Sequence, residues 1–373
     1  MPKILQVSTR HNVGGISKLI IELLGDPNFE QVYVTGTCEK NEKEYSLDLT
    51  LPSEGEYRLT RIRRLQRSVS LSNDFFALCS LIRIIRKEKP DLIHTHMSKA
   101  GLLGRIAALA SMRKVMTVHS YHGHVLDGYF NKLFAQLIIA IEKVLGVFTD
   151  AFVFDGNQTL AEINHYGIRP KKIQQVVLPG LIRNTPIRNQ RREKNDGLRI
   201  LVVARIEKVK RIDLVLSVAR HLTRNNPSLN FEILIVGDGE LRELFENQSK
   251  NELLKVKFTG WVDNVTEYYQ NTDLLLSTSD SEGTPITFME ASSFGCPIIS
   301  TNVGSVADLV DHRKTGILCE NDAETIAGEI SNLWANQALL QEYSQSAQIK
   351  ALSEFTLDKF VSKHADLYRT LIN

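Results

Sequence analysis

Apolar residues in the first half of the chain fall into short runs separated by longer stretches with helical spacing. KILQVS (3–8), QVYVTGTC (31–38), DLIHTH (91–96), KVMTVHS (114–120) and AFVFDG (151–156) have the length and β-branched content of buried strands. Between them lie amphipathic stretches such as FFALCSLIRIIRKE (75–88). The alternation stops at RNTPIRNQRREKNDG (183–197), a polar and charged run without apolar period that reads as a linker. It restarts with LRILVVA (198–204), FEILIVG (231–237), VKFTG (256–260), DLLLSTS (273–279) and PIIST (297–301), with helices expected through 210–225, from Glu240 and from Pro285. Repeated strand-then-helix units predict parallel sheets covered by helices on both faces. The expected architecture is α/β, with two Rossmann-like domains at 1–182 and 198–354 joined by the linker 183–197. Ligands of such sheets bind at the carboxyl ends of the strands, here in an expected cleft between the domains. The last stretch, SEFTLDKFVSKHADLYRTLI (353–372), has helical spacing; a helix over about 355–373 is expected to return to the first domain.

Composition narrows the function. With 373 residues, 43% of them hydrophobic, the chain can bury two ordinary cores. A net charge of +2 carries no electrostatic footprint for nucleic acid, and none is expected as a partner. Cys38, Cys79, Cys296 and Cys319 are scattered without a Cys-x-x-Cys pair, which suggests reduced cytoplasmic thiols rather than zinc or disulfides. MPKILQVSTR enters a strand directly and lacks the pattern of a signal peptide. The most apolar helical stretch, LFAQLIIAIEKVLGVF (133–148), is interrupted by Gln136, Glu142 and Lys143 and is too short to span a bilayer. Any membrane contact is therefore expected to be peripheral.

The stretch DSEGTPITFME (280–290) carries the first chemical signal. Pro285 suits the first position of a helix, where a missing N–H costs nothing. Glu282, Gly283 and Thr284 would form the loop leading into it, with backbone amides at the positive end of the helix dipole. Gly283 allows close approach of a ligand. Glu282 and Glu290 suit hydroxyl groups rather than phosphate, and a nucleotide sugar offers both groups at once. A surface helix with acids near its start gives the same local pattern. Arg205 ends an apolar run, and Lys210 follows inside a basic cluster with Lys208 and Arg211, part of which a solvated helix start explains.

The run SEGTPITFMEASSFGCPIIST (281–301) resembles the Glu-x7-Glu signature of family 4 glycosyltransferases, with Glu282 and Glu290 at its ends and Gly283, Pro285, Ala291, Gly295 and Pro297 in place. NVGGISKLI (12–20), ARIEKVKR (204–211), IVGDGELRELF (235–245) and FTGWVDNVTEYY (258–269) match in the expected order. HTHMSKAGLLGRIAA (94–108) and VHSYHGHVLDGYF (118–130) resemble a subset found in bacterial polysaccharide gene clusters. The resemblance covers essentially the whole chain. It implies the GT-B fold and a retaining transfer from a nucleotide sugar, UDP-linked by expectation. The implied acceptor is a glycan or a lipid-diphosphate-linked species in bacterial surface polysaccharide synthesis.

The resemblance also implies roles. Arg205 and Lys210 would neutralise the departing diphosphate. Because the chain has no Asp-x-Asp, no metal ion and no cofactor are expected. Glu290 would hold the ribose hydroxyls, and Glu282 with Gly283, Thr284, Pro285 and Ile286 the donor sugar. Gly14 and Gly15 match a glycine pair passing close to the donor, and Trp261 and Val262 a segment lining the base. Among His119, His122 and His124, the subset pattern puts the donor-sugar contact on His122; His119 fits the commoner Thr-x-His form and competes. His96, two positions from His94 on one strand, is an acceptor-side candidate or a strand-end polar residue near the cleft. Lys99 and Arg105, with the basic segment 58–67, are either an acceptor-side surface or ordinary solvated loops and helix faces. As a surface they would attract an anionic lipid-linked diphosphate or the inner membrane leaflet. Two departures stand out. VVLPGLIRNTP (176–186) keeps Pro179 and Gly180 but lacks the family's Asp, and Arg211 occupies a position usually held by glycine. A sugar-nucleotide epimerase of the same fold and a degenerate assembly scaffold remain the rival functions.

Overall fold

The computed structural model describes residues 1–12, 15–39, 44, 57–123, 132–180 and 197–373; Gly14, His124 and residues 183–196 of the expected linker lie outside them. The chain divides into two compact units, Met1–Leu181 with Leu357–Asn373, and Ile182–Thr356. The first contains β1 (Lys3–Ser8), α1 (Gly15–Leu24), β2 (Glu30–Thr35), β3 (Tyr57–Arg61), α2 (Leu71–Glu88), β4 (Leu92–His96), α3 (Ser98–Ala110), β5 (Met116–Tyr121), α4 (Lys132–Phe148), β6 (Ala151–Phe154), α5 (Asn157–His165) and β7 (Ile173–Val176). The second contains β8 (Leu198–Val203), α6 (Ile212–Asn225), β9 (Phe231–Val236), α7 (Arg242–Asn251), β10 (Val256–Gly260), α8 (Thr266–Gln270) and β11 (Leu274–Ser277). It continues with α9 (Ile286–Ser293), β12 (Ile298–Thr301), α10 (Val306–Leu309), β13 (Gly316–Cys319), α11 (Ala323–Ala335) and α12 (Gln337–Glu354). Helix α13 (Leu357–Ile372) belongs to the first unit again.

Each unit is built on one parallel sheet. The strand orders are β3-β2-β1-β4-β5-β6-β7 and β10-β9-β8-β11-β12-β13. In each, the chain starts at a central strand, builds outward to one edge, then crosses back to build the other side. The crossings leave topological switch points at β1/β4 and at β8/β11, the places where open parallel sheets bind ligands beyond the carboxyl ends of their strands.

The central strands are covered on both faces and so read as continuous apolar runs. Leu198, Ile200 and Val202 of β8 pack with Leu214, Val215, Val218, Ala219 and Leu222, one stripe of α6 at helical spacing. Each such side chain contributes about 1.5–3 kcal/mol by leaving water. The strands absent from the sequence reading are β3, β7 and β13, all at sheet edges. YRLTR and IQQV are only partly buried, so the two-sided burial that marks a strand in sequence is missing. The segment 57–68, read as a basic connection, thus begins as an edge strand paired to β2.

Two helix boundaries also shift. Pro285 occupies the N-cap of α9, at φ −69° and ψ 116°, and the helix begins at Ile286 rather than at the proline. The helix expected over about 355–373 is α13, which begins at Leu357; Ser353 and Glu354 close α12, and the fully buried Phe355 lies between the two. Helix α13 packs Phe360, Leu367, Tyr368 and Leu371 into a core with Ile4, Leu19, Leu23 and Leu92.

Candidate functional site

In the second unit, two loops meet at the β8/β11 switch point. The first runs from Ala204 through a 3-10 turn at Lys208–Lys210 to Arg211; the second runs from Thr278 to Pro285. Thr278 Oγ1 donates to the carbonyls of Lys210 and Arg211 at 3.2 and 3.0 Å, and the Asp280 amide donates to the Val209 carbonyl at 2.9 Å. This stitching brings Lys210 Nζ within 2.7 Å of Glu282 Oε1, which also accepts from Ser279 Oγ at 2.6 Å. Lys210 is therefore the member of the basic cluster that joins the Glu282 loop, whereas Lys208 is exposed. Gly283, Thr284, Pro285 and Ile286 follow directly, so the start of α9 opens beside the ion pair.

Arg211 explains its own departure from glycine. It sits in the left-handed region at φ 49° and ψ 49°, a conformation that costs an L side chain about 1–2 kcal/mol. Its guanidinium donates to Asp213 and, at 2.9 Å, to Asp280, which ties the first loop to the second. The loop after β9 supports the same turn. The Ile206 amide donates to the Asp238 carbonyl at 2.9 Å, and a Cβ on Gly237 would lie 2.0 Å from the Ala204 carbonyl oxygen. Only glycine fits there.

The other donor-side residues have different partners. Arg205 leaves the end of β8 with its side chain 71% exposed and bonds Glu207 at 2.9 Å. Glu290, on α9, accepts from Tyr269 Oη at 3.0 Å. Burial, reinforced by the Glu290 charge, pushes the Tyr269 phenol well up, so it stays a donor. Trp261 is 60% exposed after β10, two strands from β8, with the partly buried Val262 next to it.

In the first unit, polar side chains cluster at the β1/β4 switch point. His94, His96 and His119 are buried on β4 and β5, and His122, just after β5, is partly exposed. Burial lowers all four; His122 falls to about 4, so the rings are neutral at physiological pH. His119 Nδ1 bonds Thr95, and its ring lies under Gly101 of α3, where a Cβ would approach Cε1 to 2.4 Å. His119 is therefore a core residue, whereas His122 is partly exposed. Gly15 begins α1.

The expected acceptor-side basic surface needs correction. Arg105 is 2% exposed and bonds Glu142 at 2.6 Å, with Tyr121 Oη donating to the same carboxylate at 2.7 Å. A buried arginine needs such a partner, so it balances charge in the core instead of presenting it. Lys99 is largely covered and held by Asp74 at 2.6 Å, and His96 is buried. Of the basic segment, Arg58 and Arg61 bond acids, while Arg63 and Arg64 are exposed.

Sequence reasoning did not single out Ser279, Tyr269, Gln6, Tyr368 or His364. Gln6 carried a signal, being a polar residue in an apolar strand. Tyr368 carried none, since its partners lie hundreds of residues away in the chain. Among the described residues, no group of three or more His, Cys, Asp or Glu side chains is placed to hold a metal ion.

Two family patterns match the chain: "Glycosyltransferase Family 4" over residues 30–179 and "Glycosyl transferases group 1" over residues 184–350. The chain is 29% identical to the UDP-Gal:alpha-D-GlcNAc-diphosphoundecaprenol alpha-1,3-galactosyltransferase of Escherichia coli, over 99% of this chain and 97% of that one. It is 24% identical to the capsular polysaccharide biosynthesis glycosyltransferase CapM of Staphylococcus aureus, over 94% and 93%. Among solved structures, Anabaena HepE in complex with UDP superposes with a TM-score of 0.77 at 16% identity, over 99% of this chain and 100% of that chain. The lipopolysaccharide outer core galactosyltransferase WaaB gives 0.76 at 19% identity, over 99% and 100%.

Proposed function

This chain belongs to glycosyltransferase family 4 and has the GT-B fold, and from that premise we propose that it makes bacterial surface polysaccharide. In this reading it transfers a sugar from a UDP-linked donor, with retention and without a metal ion, to a glycan or lipid-diphosphate-linked acceptor. The observation that carries it is the Lys210–Glu282 pair beside the start of α9: one cation, one carboxylate and a row of helix-terminal amides on adjacent loops. That set matches a diphosphate and a polyol on one ligand. The galactosyltransferase of Escherichia coli and the capsular polysaccharide glycosyltransferase of Staphylococcus aureus support the polysaccharide context, and the UDP complex of HepE supports the carrier.

Lys210 and Arg205 neutralise the diphosphate as the bond from the sugar anomeric carbon to the diphosphate oxygen breaks. The acceptor hydroxyl oxygen forms the new bond on the same face, and its proton passes to the departing phosphate oxygen. Glu282 and the amides from Gly283 to Ile286 hold the donor sugar, Glu290 holds the ribose, Trp261 and Val262 flank the base, Gly14 and Gly15 approach the donor, and His122 contacts the sugar. Peripheral contact with the inner leaflet is supported by Val69, Leu71, Phe75 and Phe76, all exposed beside Arg63 and Arg64, with the Arg64 guanidinium 4.0 Å over the Phe76 ring. The test offers radiolabelled UDP-sugars with a bacterial membrane lipid extract. Transfer of label to lipid, lost in Glu282→Gln, is expected; binding of no UDP-sugar refutes the reading, and conversion of donor without acceptor would mark an epimerase.

A further inference from the structure

Three histidines of the first unit, His94, His96 and His122, are linked through hydrogen bonds that also reach helix α13. Gln6, buried in β1, donates from Nε2 to Tyr368 Oη at 3.2 Å and accepts at Oε1 from His96 Nε2 at 2.9 Å. His96 Nδ1 lies 3.2 Å from His122 Nε2, and the two rings stack with centroids 5.5 Å apart. Tyr368 Oη is also 2.6 Å from His94 Nδ1, whose Nε2 is 2.7 Å from Ser120 Oγ.

Each of these contacts holds one proton, so the Gln6 amide sets the direction of the chain. With its Nε2 committed to Tyr368, its oxygen faces His96, which must carry its proton on Nε2. A neutral His96 then presents Nδ1 as an acceptor, and His122 must carry its own proton on Nε2. The remaining His122 atom, Nδ1, is left as an acceptor. Gln6, His94, His96 and Tyr368 are buried, so water cannot stand in for a lost partner. The chain of bonds ends on the one partly exposed ring of the series.

We propose that Gln6, His96 and Tyr368 are positioning residues for His122, holding its imidazole in the Nε2–H tautomer so that Nδ1 accepts from a donor-sugar hydroxyl. The inference rests on the reading of His122 as a donor-contacting group. Helix α13 thereby contributes to the site through Tyr368, although it follows the whole second unit in the chain.

Two-bond 1H–15N correlation spectra of the full chain labelled with 15N-histidine test it without any substrate. His122 is expected as Nε2–H in the natural protein and as a mixture, or Nδ1–H, in Gln6→Leu and Tyr368→Phe. Nδ1–H in the natural protein, or an unchanged tautomer in both variants, overturns the proposal. Tyr368→Phe keeps the ring against Phe29 and decides the matter if Gln6→Leu does not fold. In transfer assays Tyr368→Phe should lower kcat about tenfold while leaving KM for the UDP-sugar within about twofold, the pattern of a misoriented rather than missing group. Unchanged kcat overturns the proposal. If the natural protein transfers no sugar at all, the glycosyltransfer reading fails while the spectra still answer for the relay.

Discussion

Lys210 and Glu282 were expected to serve different parts of the donor, and the fold makes them partners. A double-mutant cycle with Lys210→Met and Glu282→Gln measures what that partnership is for. The contact is 2.7 Å, with the lysine side chain 23% exposed and the glutamate 11%. That exposure places it between surface pairs, worth about 0.2–1 kcal/mol, and buried pairs whose breakage costs about 3–5 kcal/mol. A coupling of about 1–2 kcal/mol in unfolding free energy follows. Glu282→Gln still accepts from Ser279, so its loss isolates the charge. Both tryptophans, Trp261 and Trp334, lie in the second unit, and their fluorescence during denaturant unfolding follows that unit alone. For transfer, each single change should lower kcat/KM about a hundredfold, roughly 2.7 kcal/mol of transition-state stabilisation. The double variant should lose much less than the product, because both groups act on one bound donor. Strictly multiplicative losses, or single variants within twofold of the natural protein, would refute the reasoning.

Three further outcomes are expected. Burial depresses His364 to about 4 from 6.5, so between these values the unfolded chain binds a proton that the folded one refuses. The stability is fully present above pH 6.5 and is lost as pH falls toward 4, by about 3 kcal/mol for this ring alone. Amide exchange of β4 and α13 should therefore accelerate on acidification, and His364→Leu should reduce the trend, the remainder belonging to His94, His96, His119 and His122. Arg211→Gly should change stability by less than about 1 kcal/mol, since relief of the left-handed strain offsets the lost bonds to Asp213 and Asp280; a larger loss in urea titration would show that those bonds dominate. Replacing Val69, Phe75 and Phe76 by serine should abolish co-sedimentation with anionic vesicles without altering the fold by circular dichroism. Retained sedimentation would remove this surface from the membrane proposal.

Much of the architecture is legible because central parallel strands are buried on both faces. KILQVS carries the bounds of β1 directly, and FEILIVG those of β9 to within one residue. The edge strands β3 and β7 are not legible, because the partly buried YRLTR and IQQV lack an apolar run; the short edge strand GILC of β13 is also missed. The Glu-x7-Glu stretch is legible as a pattern, since a loop followed by a proline and a helix needs no distant partner to be recognised.

Pairing of charges behaves differently. In the sequence, Arg105 and Lys99 are two cations of one kind; burial against Glu142 makes the first a core residue, and Asp74 holds the second. His119 and His122 differ by three positions and compete on pattern, until the packing of α3 over the first leaves the second at the surface. Periodicity and turn chemistry act over a few residues, so the sequence by itself determines most of the strands, the main helices and the candidate loops. Which side chains become partners depends on closing separations as long as that from Gln6 to Tyr368, and only the packed tertiary structure decides that.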